Sequence, residues 1–188
     1  MVLIGLLGRK RVGKDTLANI LINKYGFHQL VLADPLKEAC RALFDFNDEQ
    51  LYGDLKETVD KNWGITPRKA FQYLGTDIIR NKFHELIPDI QDNFWIRRMI
   101  VRYKKLQQIY GEDVDVVVSD LRFHNEINEI YKHNGIVIKI ERNNKIEDDH
   151  ISEKTIDSIN TYDYLIKNDS SLDEYILKAT QVINNILV

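Results

Sequence analysis

The run Gly8-Arg9-Lys10-Arg11-Val12-Gly13-Lys14-Asp15-Thr16 follows directly on an apolar segment, Val2-Leu3-Ile4-Gly5-Leu6-Leu7. Two glycines five positions apart with a lysine after the second make a loop that can wrap an anion. With no Cβ in the way, successive N–H groups and the N-terminus of the next helix point at phosphate oxygens, while Lys14 reaches the outer phosphates. Such spacing arises by chance in about one chain of this length in twenty, so a glycine-rich turn is the competing explanation. Context decides against it. Leu17, Ile20, Leu21, Lys24 and Tyr25 continue at helical spacing, which completes the strand, loop and helix that the motif requires. Gly8, Lys10, Arg11, Val12, Gly13, Lys14, Asp15 and Thr16 are therefore the candidate nucleotide-binding set.

Asp15 stands where a serine or threonine hydroxyl normally meets Mg²⁺, and Thr16 comes one residue later. A carboxylate beside a triphosphate is repelled unless cations surround it, and Lys10, Arg11, Lys14 and a bound Mg²⁺ would supply that charge. Asp15 is either a partner of the metal or the acceptor phosphate, or a first-turn acid favoured by the helix dipole.

The 188 residues are 44% hydrophobic with three prolines, which predicts one compact domain, 1–188, with ample core. No basic segment with an apolar core opens the chain and no apolar run approaches membrane-spanning length, so a soluble protein of the cytoplasm is expected. The lone Cys40 has no disulfide or metal-site partner and reads as a buried small hydrophobe. A net charge of −3 is too balanced for sequence-independent nucleic-acid binding, and the five histidines lack ligand spacing.

Apolar strand patterns fall at 2–7, 28–33, 114–119, 136–140 and 163–167, between helical patterns near 15–24, 35–45, 67–84, 92–110, 123–133 and 171–186. Strands alternating with helices predict an α/β fold, a parallel five-stranded sheet flanked by helices on both faces, with ligands beyond the carboxyl ends of the strands. Segments 46–66 and 143–162 lack a clear period and are candidate mobile lids.

Two further stretches carry chemistry. Val114-Asp115-Val116-Val117-Val118-Ser119-Asp120-Leu121-Arg122 is a buried strand ending in a carboxylate. Asp120 suits Mg²⁺ opposite the loop lysine, and Arg122 would aim a fork of donors at a phosphate. A helix N-cap acid and a surface ion pair are the plainer explanations. Thr66-Pro67-Arg68…Gln72…Arg80 reads as a capped helix with Arg68, Gln72 and Arg80 on one face. That face would bind a monophosphate and a base edge, or simply be solvated. The basic aromatic run Phe94 to Lys105 places Trp95, Met99, the Arg102 stem and Leu106 at helical spacing, which describes a core helix with a charged face better than a nucleic-acid module.

Taken in order, the loop Gly8 to Thr16, Leu32-Ala33-Asp34-Pro35-Leu36-Lys37-Glu38-Ala39, Arg68…Gln72-Tyr73-Leu74-Gly75-Thr76-Asp77, Phe94-Trp95, Ser119-Asp120-Leu121-Arg122…Glu126, Asp149-His150-Ile151-Ser152-Glu153 and Ile166-Lys167-Asn168-Asp169-Ser170-Ser171-Leu172-Asp173-Glu174 resemble phage-type deoxynucleoside monophosphate kinases, within the P-loop nucleoside monophosphate kinase superfamily. A non-hydroxyl residue at position 15 agrees, since such kinases commonly write Gly-Lys-Gly-Thr here. The resemblance covers nearly the whole chain. It implies the adenylate-kinase-like fold with lid and acceptor-binding segments, ATP and Mg²⁺ as cofactors, a deoxynucleoside monophosphate as partner, and a homodimer. It implies catalytic roles for Lys14, Asp15, Asp120 and Arg122, and Mg²⁺ contacts from Asp15, Thr16 and Asp120. Arg142 and Asn168 would flank ATP, while Asp34, Lys37, Arg68, Gln72, Asp77, Trp95, Arg122, His150 and Glu153 would serve the acceptor. A phage-type enzyme would work in the host cell cytoplasm. Asp34, where some relatives have glycine before the proline, and the short 46–66 segment leave acceptor specificity open. A kinase for phosphomevalonate or dephospho-coenzyme A is the nearest alternative.

Overall fold

The computed structural model describes residues 1–143 and 151–187. Two compact units make up the chain: residues 1–31 with 98–188, and residues 32–97.

In the first unit five strands, β1 (Leu3–Leu7), β2 (His28–Leu30), β3 (Val116–Leu121), β4 (Ile136–Glu141) and β5 (Tyr164–Lys167), form a sheet in the order β2-β3-β1-β4-β5, every pairing parallel. Central β1 is buried along its whole length, as a strand covered on both faces must be. Its side chains alternate between those faces. Ile4 and Leu6 join Ile138, Ile140 and Ile166 under α1 (Lys14–Tyr25) and α8 (Leu172–Ile186), which contribute Leu17, Leu21, Tyr175, Ala179 and Ile183. On the other face Gly5 makes room for Leu121 and Ile130, and a Cβ there would collide with the Leu121 side chain. Ile130 belongs to α6 (His124–Lys132). The sheet thus brings the phosphate loop, between β1 and α1, to the same edge as the segments after β3, β4 and β5.

The second unit holds α2 (Asp34–Phe44), the short α3 (Asp48–Leu51), a 3₁₀ turn at Asp54–Glu57, and α4 (Pro67–Gln72). Thr66 caps α4, its hydroxyl accepting the Lys69 N–H at 3.1 Å, and Pro67 stands at N1, where its missing N–H costs nothing. Leu36, Cys40, Phe46, Leu51, Ala70, Phe71 and Trp95 form the core of this unit. Cys40 is buried, as the sequence implies, and burial pushes its thiol up to about 11.

Three expectations change. The helix read over 67–84 is α-helical only to Gln72 and then runs as a π-helix over Tyr73–Arg80. Within that turn the Gly75 carbonyl accepts the Trp95 indole N–H at 2.9 Å, a partner outside the helical ladder. Widening the turn breaks the 3.6-residue register, so Arg80 leaves the face of Arg68 and Gln72: it is buried, and its guanidinium donates to the Asp92 carbonyl at 3.3 Å. In α5 (Phe94–Tyr110) the buried positions are Trp95, Ile96, Met99 and Tyr103, with Arg102 exposed instead of packed by its stem. Finally, the segments without a period contain helices, α3 in 46–66 and α7 (Ile151–Ser158) in 143–162.

Candidate active site

The phosphate loop closes with Gly13 at the N-cap of α1, at φ 109° and ψ 12°, a left-handed conformation that favours glycine. Space alone also demands glycine there, because a Cβ would lie 2.7 Å from the Asn168 amide nitrogen and 3.1 Å from the Tyr175 ring. Both neighbours brace the loop. Asn168, after β5, donates from Nδ2 to the Val12 carbonyl at 2.8 Å, and Tyr175, in α8, donates its hydroxyl to the Gly13 carbonyl at 2.8 Å. Burial, with Asp15 nearby, raises the Tyr175 hydroxyl well above its ordinary range, so it remains a donor.

Lys14 is only 8% exposed, and its ammonium bonds to the Gly8 and Arg9 carbonyls of its own loop, each at 2.6 Å. Burial and then Arg122 lower it to about 8, against the opposing pull of Glu153, Asp15 and Asp120. A desolvated ammonium at the head of a helix, held by neutral carbonyls, suits a polyanion such as a nucleotide phosphate. Asp15 is exposed in the first turn of α1 and Thr16 is half-buried beside it. Arg11 takes a left-handed conformation, φ 60°, at the loop tip.

Across from the loop, Asp120 lies within β3, and α6 opens at His124 with Phe123 at the cap position. The carboxylate that satisfies this helix start is Glu126, which accepts from the N–H groups of Arg122 at 2.8 Å and Phe123 at 3.2 Å. The N-cap explanation of Asp120 therefore falls. Arg122 pairs with Glu153, a carboxylate 2% exposed on α7, whose other oxygen accepts the Lys10 N–H at 3.1 Å. Burial would raise Glu153, but the Arg122 charge and hydrogen bond, the Lys10 N–H and Lys14 outweigh it and hold the carboxyl below its ordinary value. Nor is Arg122 the exposed ion pair of the plainer reading, since its partner is in the interior. One helical turn after Glu153, Asp157 pairs with Arg9, accepting from Nε at 2.9 Å. Arg142, exposed after β4, lines a cleft of about 290 Å³ with Val12, Ile140, Ile156 and Asp169, beside the loop. There Asp169 accepts the Asn143 N–H at 2.7 Å, which ties the end of β4 to the end of β5.

In the second unit Asp34 and Lys37 pair at 3.6 Å at the start of α2, and the Lys37 ammonium stands 4.4 Å from the Tyr52 ring centroid. The Tyr52 hydroxyl donates to Glu38 at 2.8 Å. Arg68 donates from Nε to Glu57 at 3.1 Å, and Gln72 follows one turn later in α4. Asp77 lies half-buried in the π-helix, whereas Trp95 is buried, edge-to-face with Phe94. His150 lies outside the described residues. Sequence reasoning did not find Tyr52, Glu57, Asp157 or Tyr175. Tyr52 and Glu57 fall in a stretch without periodicity, and Tyr175 follows the ordinary apolar spacing of its helix.

The family model for deoxynucleotide monophosphate kinase matches residues 2–59 and 43–179. A protein of Acanthamoeba polyphaga mimivirus, provisionally named deoxynucleotide monophosphate kinase, is 40% identical over 189 residues, spanning 98% of this chain and 97% of its own length. The deoxynucleotide monophosphate kinase of Escherichia phage RB69 is 28% identical over 145 residues, 74% of this chain and 54% of the phage protein. Among solved structures, dephospho-CoA kinase from Campylobacter jejuni matches with a TM-score of 0.53 at 20% identity, covering 98% of this chain and 96% of that one, a likeness of fold.

Proposed function

The chain belongs to the deoxynucleotide monophosphate kinase family, and on that premise we propose that it transfers the γ-phosphoryl group of ATP to a deoxynucleoside monophosphate, giving the deoxynucleoside diphosphate and ADP. The observation that carries this reading is Lys14, a buried ammonium held by two loop carbonyls at the N-terminus of α1. ATP supplies the phosphoryl group and Mg²⁺ neutralises charge on its phosphates.

The rest is done by the protein. Loop N–H groups from Gly8 to Thr16 bind phosphate oxygens, and Lys14 turns from its carbonyls to the outer phosphates. Asp15, Thr16 and Asp120 are the groups that would hold the metal. Arg122 spreads negative charge as it accumulates on the transferring group. Because the acceptor's phosphate oxygen is already ionised, no general base is required, and positioning with charge neutralisation accounts for the catalysis. Arg68 grasps the acceptor phosphate and Gln72 reads its base, Arg68 exchanging Glu57 for the ligand. Arg142 and Asn168 border the site of the ATP base, where Asn168 acts by holding the loop.

The test is an acceptor survey with ATP and Mg²⁺. dTMP, dGMP, dCMP and dAMP are compared with their ribonucleotides, phosphomevalonate and dephospho-coenzyme A by thin-layer chromatography of the products. Transfer to at least one deoxynucleotide in preference to phosphomevalonate and dephospho-coenzyme A is expected. Preferential phosphorylation of dephospho-coenzyme A or phosphomevalonate would overturn the assignment.

A further inference from the structure

Glu153 and Asp157 stand four residues apart on α7 and so share one helix face. That face is turned to the phosphate loop: Asp157 takes Arg9, and Glu153 takes the Lys10 N–H together with Arg122. The resemblance to phage-type kinases groups Glu153 with acceptor-binding residues, yet each of its oxygens has a protein partner.

The arginine is used differently. Its Nη1 is committed to Glu153, while among the described residues Nε and Nη2 have no hydrogen-bond partner and the side chain is 24% exposed. A structural ion pair in a protein interior is stable when the guanidinium is saturated, because each unpaired donor there costs free energy. Fixing one nitrogen and leaving an open edge suits a different task, orienting a planar fork toward an incoming oxyanion. The anchor is rigid for a simple reason. It bonds to the backbone of the phosphate loop through one carboxylate oxygen and to the arginine through the other, so the distance between loop and guanidinium is set by a single side chain.

We propose that Glu153 is a positioning residue for phosphoryl transfer, clamping Arg122 against the Lys10 N–H so that the open edge of the guanidinium faces the phosphates bound by the loop. This deepens the kinase reading and rests on it. Part of the evidence must therefore come from nucleotide binding without an acceptor.

A double-mutant cycle tests the clamp. Glu153→Gln retains an oxygen for the Lys10 N–H and removes the charge that holds Arg122, and Arg122→Ala removes the fork itself. Affinity for a fluorescent ATP analogue with Mg²⁺, kcat with the best acceptor, and melting temperature are measured on the wild type, both single variants and the double variant. Each single change should weaken analogue binding about tenfold and lower kcat by at least as much. The double variant should be no worse than Arg122→Ala alone, a coupling of the size expected for residues in direct contact. If Glu153→Gln does not fold, Glu153→Asp keeps the charge but withdraws it by one methylene, and its losses should likewise vanish in the Arg122→Ala background. Multiplying losses in the double variant would overturn the proposal. So would a lower melting temperature with kcat and analogue affinity unchanged. A wild type that binds the analogue with this coupling but phosphorylates no deoxynucleotide would refute the kinase assignment and leave the clamp standing.

Discussion

Replacing Lys14 with methionine should cost the protein its activity and alter its stability in a way that depends on pH. In the folded chain burial and Arg122 lower the ammonium to about 8, against an ordinary value of 10.5. At 1.36 kcal/mol per unit that gap corresponds to about 3 kcal/mol. The sign follows from counting protons. Below pH 8 both the folded and unfolded chains carry the proton, and the folded state bears the full penalty of a desolvated charge. Between 8 and 10.5 the folded chain releases the proton while the unfolded chain keeps it, so stability rises with pH across that window. Methionine at position 14 has no such titration. The hydrogen bonds it forfeits to the Gly8 and Arg9 carbonyls displace its whole stability curve and leave the slope alone. The wild type should therefore gain on Lys14→Met by about 2–3 kcal/mol between pH 7 and pH 10, most of the whole effect. Urea melts of both proteins across that range measure the difference, and subtraction cancels every other titrating group. Turnover should fall by about 10²-fold or more, the scale seen when one preorganised donor is removed. A stability difference that stays flat with pH would show that Lys14 is solvated and that its burial stores nothing for the ligand.

Asn168→Ala leaves the buried Val12 carbonyl without its donor, so it should cost about 1–3 kcal/mol in thermal or urea unfolding. Affinity for ATP should weaken with it, and a fully stable variant with normal affinity would refute the brace. Arg68→Ala should raise the acceptor KM far more than the ATP KM, while Gln72→Ala should reorder the preference among bases; steady-state kinetics over several acceptors would refute both if the two variants affected every nucleotide alike. Cys40, pushed up to about 11 by burial, should resist alkylation at pH 8 in the native protein and react quickly in denaturant, as followed with a chromogenic thiol reagent. Rapid native reaction would contradict its burial.

How much of this could be read from residues alone depends on the range of the interaction. All five strands lie close to where apolar runs placed them, and for β1, β3 and β4 the reason is that a strand covered on both faces must be largely apolar. The phosphate loop was legible for the same local reason, since its glycines answer to backbone geometry inside nine residues. The π-helix was not. Within it the Gly75 carbonyl accepts the indole N–H of Trp95, twenty residues away, and nothing in the spacing of 67–84 records that bond. Likewise Glu153 was legible as part of a resemblance, but its pairing with Arg122 spans 31 residues and its bond to the Lys10 N–H spans 143. The 46–66 segment fails for another reason: its helices are one turn long, too short to show a period, though one of them delivers Glu57 to Arg68.

Two buried charges at the loop make an instructive pair. Burial works against both, pushing Glu153 toward its neutral acid and Lys14 toward its neutral amine. In Glu153 the conflict is resolved within the protein, because Arg122 and a backbone N–H more than offset the desolvation and the carboxyl ends below its ordinary value. In Lys14 it is not resolved: the ammonium has two carbonyls at 2.6 Å, and the carboxylates of Glu153, Asp15 and Asp120 reduce the downward shift without cancelling it. A side chain selected for stability alone would carry no such charge, since an apolar residue of similar length fills the same space. On the proposed kinase reading the unresolved penalty is recovered when an anion replaces the carbonyls, and that anion is a nucleotide phosphate at the start of α1. If that reading and the Glu153 clamp hold, pairing against incomplete pairing separates the residue that organises the site from the residue that acts in it.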